Sequence, residues 1–338
     1  MTSRAARYVT LTLMMVGCCW EVQAAAVRDW TVAVGAAPWV PRSGHAAVDY
    51  LGKIWLIGGQ QQTGGIVGDV WSTTDGVRWS AAIPWPGSKP TGRAGHTAVV
   101  FAGKLWLIGG AGSLPGSNVW YSANGTTWTR ATANAPWRPR TGHGSVVFNN
   151  KMWVIGGGDY FRGFFNDVWW SSNGTSWTCA TASAPWSPGM GGVCVVHGGR
   201  MWVLGVSPTQ ESKEVWCSFD GKNWTRVVAN APWRGYGGIG AVTAGGKIWV
   251  MGGNVQAGDE VASTNDIWCS ADGANWREVT PHAAWSGRAG FPLVVHNRKI
   301  WLLGGYTFGS GSLVPTYLND VWYTDLPTET TTAWKLYR

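Results

Sequence analysis

Arginine and histidine recur at one fixed spacing in three places, and these side chains are the first candidates for ligand chemistry. The pattern Arg-x-Gly-His joins Arg42 to His45, Arg93 to His96 and Arg140 to His143. A fourth copy keeps only Arg288, since Phe291 replaces the histidine. Converging guanidinium groups could bind a carboxylate or phosphate, and three histidines could bind a metal ion. The alternative is structural, with the arginines anchoring the strands that follow them.

A second candidate is an aromatic segment that runs from Asp159 to Phe165. It combines two charged and four aromatic side chains, which no neighbouring pattern demands. Clustered aromatic residues are typical of contact surfaces. The candidate ligand-binding residues here are Asp159, Tyr160, Phe161 and Arg162.

The acidic residues form no catalytic pattern. Eight of the 18 recur at fixed positions of a repeat, and among the others Asp159, Glu211, Asp259 and Glu260 lie in variable loops. These four could act as a general acid or base. The alternative is that they are solvated charges in loops. No Ser/His/Asp order, paired carboxylates or zinc-type Cys/His spacing accompanies them. We therefore expect no cofactor and no metal, and we favour a noncatalytic function.

Tryptophan defines the elements that must position these residues. Of the 27 tryptophans, 24 fall into six copies of a four-Trp unit. The second Trp of each unit sets the period, at Trp55, Trp106, Trp153, Trp202, Trp249 and Trp301. The units span residues 37–83, 84–134, 135–183, 184–230, 231–282 and 283–338. A period near 50 with four apolar segments predicts propeller blades.

Each unit reads as four short strands. Runs such as Lys53-Ile-Trp-Leu-Ile57 are β-branched and aromatic, and pairs such as Leu51-Gly52 and Asp75-Gly76 suit two-residue hairpins. Strand alternation places the 1–2 and 3–4 turns on one face of a ring. The 2–3 and 4–1 loops lie on the other face and carry the length variation, so we predict that this variable face binds the ligand.

The repeated Trp-hydrophobic-hydrophobic-Gly-Gly segment, as in Trp55 to Gly59, resembles the kelch family. The resemblance covers roughly residues 37 to 338 and implies an all-β fold: a six-bladed kelch-type β-propeller with four antiparallel strands per blade. Unit four departs from the motif, because Leu204-Gly205-Val206 replaces the double glycine. Its second strand is therefore expected to be distorted. In the family, an Arg-x-Gly-His start is also compatible with a purely structural role.

Two functions follow from this resemblance. The first is a noncatalytic interaction module that binds a glycan or a protein through the variable face. The alternative is a carbohydrate-active isomerase, similar to the six-bladed exported kelch protein that interconverts sialic acid anomers. Galactose oxidase is also kelch-like, but its copper site needs a particular Tyr, Cys and His set that we cannot map onto this sequence.

Two segments compete for the outer strand of the sixth blade. Arg28 to Val34 copies the last strand of a unit although no first three strands precede it. Ala333 to Tyr337 could fill the same place from the other end of the chain. A ring must close to leave no exposed edge strand, and we favour the N-terminal segment.

The first 24 residues read as an export signal. Arg4 and Arg7 precede an apolar stretch from Tyr8 to Trp20, and Val22-Gln23-Ala24 offers small residues at a cleavage site. A lipoprotein anchored at Cys18 is the alternative. We expect a periplasmic or secreted monomer without a transmembrane span, because the apolar stretch is short.

The net charge and the cysteine content give two further expectations. The formal net charge is +8, and part of it forms a regular set at Lys53, Lys104, Lys151, Arg200, Lys247 and Lys299. This set predicts a basic ring on the 1–2/3–4 face, either solvated or bound to an anionic polymer or membrane surface. No nucleic-acid motif is present. The cysteines after the leader are expected to be free, buried thiols: Cys179, Cys194, Cys217 and Cys269.

Overall fold

Six antiparallel sheets make up the part of the chain that the structure describes. A computed structural model describes residue 27 and residues 29–82, 92–112, 116–159, 163–189, 192–206, 213–257, 260–309, 312 and 314–326. Within these ranges the chain forms strands and turns and no α-helix. Each sheet follows a path of four strands. The predicted six-bladed, all-β propeller is confirmed.

The strands are numbered in chain order. Those of the N-terminal strand and the first three blades are β1 (Thr31–Val34), β2 (Arg42–Ser43), β3 (Ala46–Tyr50), β4 (Lys53–Gln61), β5 (Ile66–Thr73), β6 (Ser80–Ala82), β7 (Thr97–Phe101), β8 (Lys104–Ile108), β9 (Val119–Ser122), β10 (Trp128–Thr132), β11 (Gly144–Phe148), β12 (Lys151–Asp159), β13 (Gly163–Ser171) and β14 (Thr178–Thr181). Those of the last three blades are β15 (Val193–His197), β16 (Arg200–Val206), β17 (Glu214–Ser218), β18 (Thr225–Val228), β19 (Gly240–Ala244), β20 (Lys247–Ala257), β21 (Glu260–Ser270), β22 (Arg277–Thr280), β23 (Leu293–His296), β24 (Lys299–Thr307) and β25 (Thr316–Asp325).

The turns have the backbone that the sequence predicts. Leu51 and Gly52 between β3 and β4 have φ values of 51° and 67°, as a two-residue type I′ hairpin requires. The 3–4 turns are held by side chains instead. In blade four, Ser218 Oγ accepts hydrogen bonds from the amides of Asp220 and Gly221 at 3.2 and 2.8 Å.

The second Trp of a blade joins it to the next blade. Trp55 Nε1 donates to the carbonyl of Tyr50 at 2.8 Å, which fixes the indole against its own hairpin. A Cβ atom at Gly125, in the 3–4 turn of blade two, would overlap the Trp55 ring. The other pairs of this kind are Trp106 with Gly174, Trp153 with Gly221, Trp202 with Gly273 and Trp301 with Gly76. Only glycine therefore lets the neighbouring blade approach this closely.

The first and fourth Trp of a blade pack against each other edge to face. The ring centroids of Trp137 and Trp177 are 4.3 Å apart with an interplanar angle of 86°. Equivalent pairs are Trp39 with Trp79, Trp186 with Trp224 and Trp233 with Trp276. The first Trp of each pair is almost fully buried. These indoles are therefore core side chains rather than a sugar-stacking surface.

The N-terminal segment supplies the outer strand of blade six. β1 pairs antiparallel with β25, with Thr31 opposite Tyr323 and Val32 opposite Trp322. Trp30 takes the place of the fourth Trp, since it meets Trp285 edge to face at 6.0 Å and 83°. The competing segment around Trp334 lies outside the described residues.

Blade four keeps a regular second strand despite its missing glycine. β16 shifts register between Leu204 and Val206, as β12 does between Ile155 and Gly157. Gly205 has a φ of 71°, so the first glycine of the motif is enough to form the bulge. The expected distortion is absent from β16.

In the described ranges, no helix has the length and apolar character needed to cross a membrane.

Trp30 offers a test of ring closure. Trp30 is 7% exposed and packs in a cluster that includes Trp249 and Trp285. We expect Trp30→Ala to lower the free energy of unfolding by about 3 to 5 kcal/mol, because it leaves a cavity between blades five and six. Denaturant unfolding measures this. Val77→Ala, at a residue that is 49% exposed, is the control; equal effects of the two substitutions would show that β1 does not close the ring.

Candidate functional site

The candidate arginines lie inside the blades. Arg42, Arg140 and Arg288 are fully buried, and Arg93 is 5% exposed. Arg140 Nη1 and Nη2 donate to the two carboxylate oxygens of Asp167 at 2.6 and 2.8 Å. Nη1 also donates to the carbonyl of Gly156 at 2.8 Å, at the end of the Trp-hydrophobic-Gly segment.

This pairing explains the repeated Asp-Val-Trp element. Asp167 Oδ2 also accepts a hydrogen bond from Trp169 Nε1 at 2.8 Å, so the arginine, the acid and the third Trp form one unit. The same unit recurs as Arg42, Asp69 and Trp71, and as Arg288, Asp320 and Trp322. Burial disfavours the charged form of Asp69, but hydrogen bonds and charge from Arg42 outweigh it and hold the pKa of this carboxyl below its ordinary value. The arginines therefore bind acids inside their own blades, and we call each Arg–Asp–Trp unit an internal tie. This agrees with the structural interpretation of their spacing.

Blade two carries a weaker version of the tie. Asn118 replaces the acid and accepts a hydrogen bond from Arg93 Nη2 at 3.0 Å. Arg93 Nη1 donates to the carbonyl of Gly109 at 3.0 Å. Burial lowers the pKa of Arg93 to about 10. This guanidinium is still charged at neutral pH, and both of its terminal nitrogens donate to protein acceptors.

The candidate histidines surround the propeller axis. His45, His96 and His143 are each 4 or 5% exposed and line a central cavity of about 300 Å³. Backbone hydrogen bonds link successive blades around this cavity, from Gly95 N to Gly44 O at 2.8 Å and from Gly142 N to Gly95 O at 2.9 Å. The histidines therefore sit at the blade junctions.

These histidines are held neutral. His45 Nε2 lies 3.1 Å from the carbonyl of Leu303 in blade six, and His143 Nε2 lies 3.0 Å from Thr97 Oγ1 in blade two. Desolvation, followed by the charge of the nearby arginine, lowers the pKa of His45 and of His143 to about 3. The same two causes lower the pKa of His96 well below its ordinary value. Each of the three histidines is therefore neutral, and it packs or forms a hydrogen bond between neighbouring blades.

Blade five departs from this plan. Tyr236 stands three residues after Trp233, where blades one, three and six have arginine. The acid of this blade, Asp266, is 1% exposed. Its Oδ1 accepts from Thr264 Oγ1 at 2.7 Å, and its Oδ2 accepts from Trp268 Nε1 at 2.7 Å. A third bond comes from the backbone amide of Arg234 at 3.0 Å, so a main-chain donor replaces the guanidinium.

A polar groove of about 600 Å³ opens beside this altered tie. It lies on the variable face, between the end of β20, the start of β21 and the connection that follows Trp233. Its lining is Lys213, Arg234, Tyr236, Val255, Gln256, Ser263, Thr264, Asn265 and His282. The sequence patterns did not predict this groove. Its signal was Tyr236, which stands where blades one, three and six have arginine.

The aromatic segment of blade three is placed only in part. Asp159 ends β12 and is 2% exposed, so it is a buried side chain rather than a solvated loop charge. Phe164 is 43% exposed, whereas Phe165 is buried and lies under Arg140, with 4.9 Å from the guanidinium carbon to the ring centroid. Tyr160, Phe161 and Arg162 lie outside the described residues, and their ligand-binding role stays a prediction.

The basic set on the opposite face is packed on aromatic rings. Lys151 Nζ lies 3.7 Å from the centroid of Trp170, and Lys299 Nζ lies 3.9 Å from that of Tyr323. Lys247 departs from the expected solvated ring, since it is 4% exposed.

The thiols of the four described cysteines are free, and Cys179 is exposed rather than buried as expected.

The comparisons with known proteins agree with this architecture. The model of the KLHDC2/KLHL20/DRC7 Kelch-repeats domain matches residues 44–236, more than half of the chain. The chain belongs to the kelch-repeat family. Ras guanine nucleotide exchange factor F of Dictyostelium discoideum is 30% identical over 89 residues, which are 25% of this kelch chain and 8% of that protein. The kelch chain therefore spans only a small part of that relative.

A solved structure described as "Structure of YjhT" is also similar. It superposes with a TM-score of 0.68, covering 85% of this chain and 96% of that one, at 18% sequence identity. At this identity the likeness shows the shared fold.

Breaking one internal tie should destabilise its blade. We expect Arg140→Met to lower the free energy of unfolding by about 3 to 5 kcal/mol, because Asp167 is left without its bidentate partner in a partly buried site. The matched control is Arg138→Met at an exposed residue, where the change should stay within about 0.5 kcal/mol. A small effect at Arg140 would contradict the structural assignment.

The buried histidines should make stability depend on pH. The unfolded chain binds protons on these side chains below about pH 6.5, while native His45 and His143 stay neutral down to a pKa of about 3. Stability is therefore lost as the pH falls through 6.5 toward 3. Between pH 7 and 5, each histidine should cost up to about 2 kcal/mol.

The measurement is the slope of unfolding free energy against pH. At pH 5.5, His45→Gln should take up about one proton fewer on unfolding than the parent. Val77→Ala, which changes no titratable group at an exposed position, should leave the slope unchanged. A parent-like slope in His45→Gln would show that this histidine is protonated in the native ring.

Proposed function

We propose that this kelch propeller is an exported, noncatalytic binding module that holds a saccharide in the groove of blade five. The observation that carries the proposal is the replacement of the arginine tie by Tyr236 and by the Arg234 amide. In blade three the corresponding arginine is fully buried and bonds internally. In blade five, a half-buried tyrosine and an exposed arginine border open space instead.

The size and lining of the groove support a small polar ligand. A volume of about 600 Å³ lies within the range of about 300 to 1,000 Å³ that small-molecule sites occupy. Gln256 and Ser263 present an amide and a hydroxyl group of the kind that bind sugar hydroxyls. Tyr236 adds an aromatic ring on which a pyranose could stack. Burial raises the pKa of Tyr236, so its hydroxyl keeps its proton.

One wall of the groove is rigid. Asn265 Nδ2 donates to the carbonyls of Ala283 and Trp285, each at 3.0 Å. Its Oδ1 lies 3.3 Å from His282 Nδ1. These bonds connect β21 to the loop that leaves the blade, so the wall should change little when a ligand binds. A preorganised wall reduces the entropic cost of binding.

The opposite face is suited to structure rather than to recognition. Its 3–4 turns use their polar groups internally, as when Asp220 Oδ1 accepts from the amides of Lys222 and Asn223 at 2.9 and 2.8 Å. Its basic residues lie over aromatic rings, as Lys104 does over Tyr121 at 4.2 Å. The variable face is therefore the better candidate for a ligand.

The proposal is tested by thermal unfolding against a panel of neutral and acidic saccharides. A ligand at 100 times its Kd should stabilise the protein by about 2.7 kcal/mol, and each kcal/mol should raise Tm by about 2 to 4 °C. Tyr236→Ala should abolish the shift. Phe219→Ala, which removes a 58% exposed ring on the opposite face, should preserve it. A panel without any shift would favour a protein ligand over a saccharide.

A further inference from the structure

The charge of the blade-five groove allows its ligand to be specified further. The side chains in its described lining that carry a formal charge at neutral pH are Lys213 and Arg234, and both are cations. The nearby acid, Asp266, lies behind Thr264 and has three protein donors on its two oxygens. The described part of the lining therefore presents positive charge to whatever enters the groove.

The guanidinium of Arg234 is available to a ligand, because the backbone amide of this residue bonds to Asp266 in place of the side chain. Its backbone amide donates to Asp266 Oδ2 at 3.0 Å. In blades one, three and six this task falls to a guanidinium, as with Arg288 Nη1 and Asp320 Oδ1 at 2.7 Å. The Arg234 residue is exposed, so its guanidinium can bind a planar anion through two parallel hydrogen bonds.

Lys213 provides a second cation, which is less exposed than Arg234. Its Nζ donates to the carbonyl of Trp233 at 2.5 Å. An ammonium group has three donors, and this bond to a described residue uses one of them, so two are left for a ligand. Desolvation lowers the pKa of Lys213, and the charge of Asp266 partly opposes this effect. A partly desolvated cation interacts with an anion more strongly than a fully solvated one.

We infer that the groove selects a saccharide that carries a carboxylate, with the carboxylate between Lys213 and Arg234 and the hydroxyls toward Gln256 and Ser263. This inference rests on the proposed saccharide-binding function and adds the charge of the ligand to it. The two cations provide the charge selection. The amide and hydroxyl side chains distinguish a sugar acid from a simple carboxylate.

The test is isothermal titration calorimetry of the full chain with ligands matched in pairs. Glucuronate with glucose, and galacturonate with galactose, differ at C6 only, where a carboxylate replaces a hydroxymethyl group. We expect each uronate to bind at least about tenfold more tightly than its hexose, and acetate to bind more weakly than either uronate. Because exposed charges are screened, the preference should shrink as salt is added.

Two variants locate the effect. Arg234→Gln keeps the backbone donor to Asp266, so the blade should stay folded, and uronate affinity should fall about 10- to 100-fold. Lys213→Gln should have a similar effect. Arg78→Gln removes an equal charge from an exposed turn on the opposite face and should leave affinity unchanged. Thermal unfolding of each variant verifies that the fold is retained.

The outcomes separate this inference from the proposed function. If hexoses and uronates bind equally and both are lost in Tyr236→Ala, the saccharide site stands and the carboxylate inference is wrong. If uronates bind but Arg234→Gln and Lys213→Gln bind them as the parent does, the carboxylate lies elsewhere and the inference is again wrong. If neither class binds at millimolar concentration, both proposals fail.

Discussion

The contact between an indole and a glycine across each blade junction is the interaction on which the rest of the ring depends. Trp55, held by its hydrogen bond to Tyr50, lies where any side chain at Gly125 would have to be. The same contact recurs at four other junctions. It sets the distance between sheets, and that distance gives the axis its narrow cavity and leaves the loops of one face free to vary.

Much of this architecture follows from local sequence. Turn pairs such as Leu51-Gly52 require positive φ, and the spacing of Trp55 and its equivalents gives the number of blades. The role of the arginines was harder to predict, because Arg140 and Asp167 are 27 residues apart and meet only once the blade has folded. A charged residue that repeats can equally well bind a ligand or an internal partner.

The candidate site in blade five could not be predicted from the sequence motifs, for a related reason. A groove formed by the loss of a regular residue leaves no motif of its own, so it shows only when the units are compared position by position. Tyr236 and Arg234 become informative once the other blades show what Arg140 does. The basic lining also needs Lys213, which the previous blade contributes.

The way in which β1 completes blade six has a consequence for the order of assembly. Thr31 is synthesised long before Tyr323, the residue with which it pairs. Such a long-range contact forms late, because the intervening chain must be ordered before its ends can meet. During synthesis, each of the first five blades can pair with its own outer strand, whereas β1 has no partner until β25 is made. The open ring therefore exposes both an unpaired strand and an unpaired sheet edge. Chaperones that protect exposed strands during folding would act on this interval.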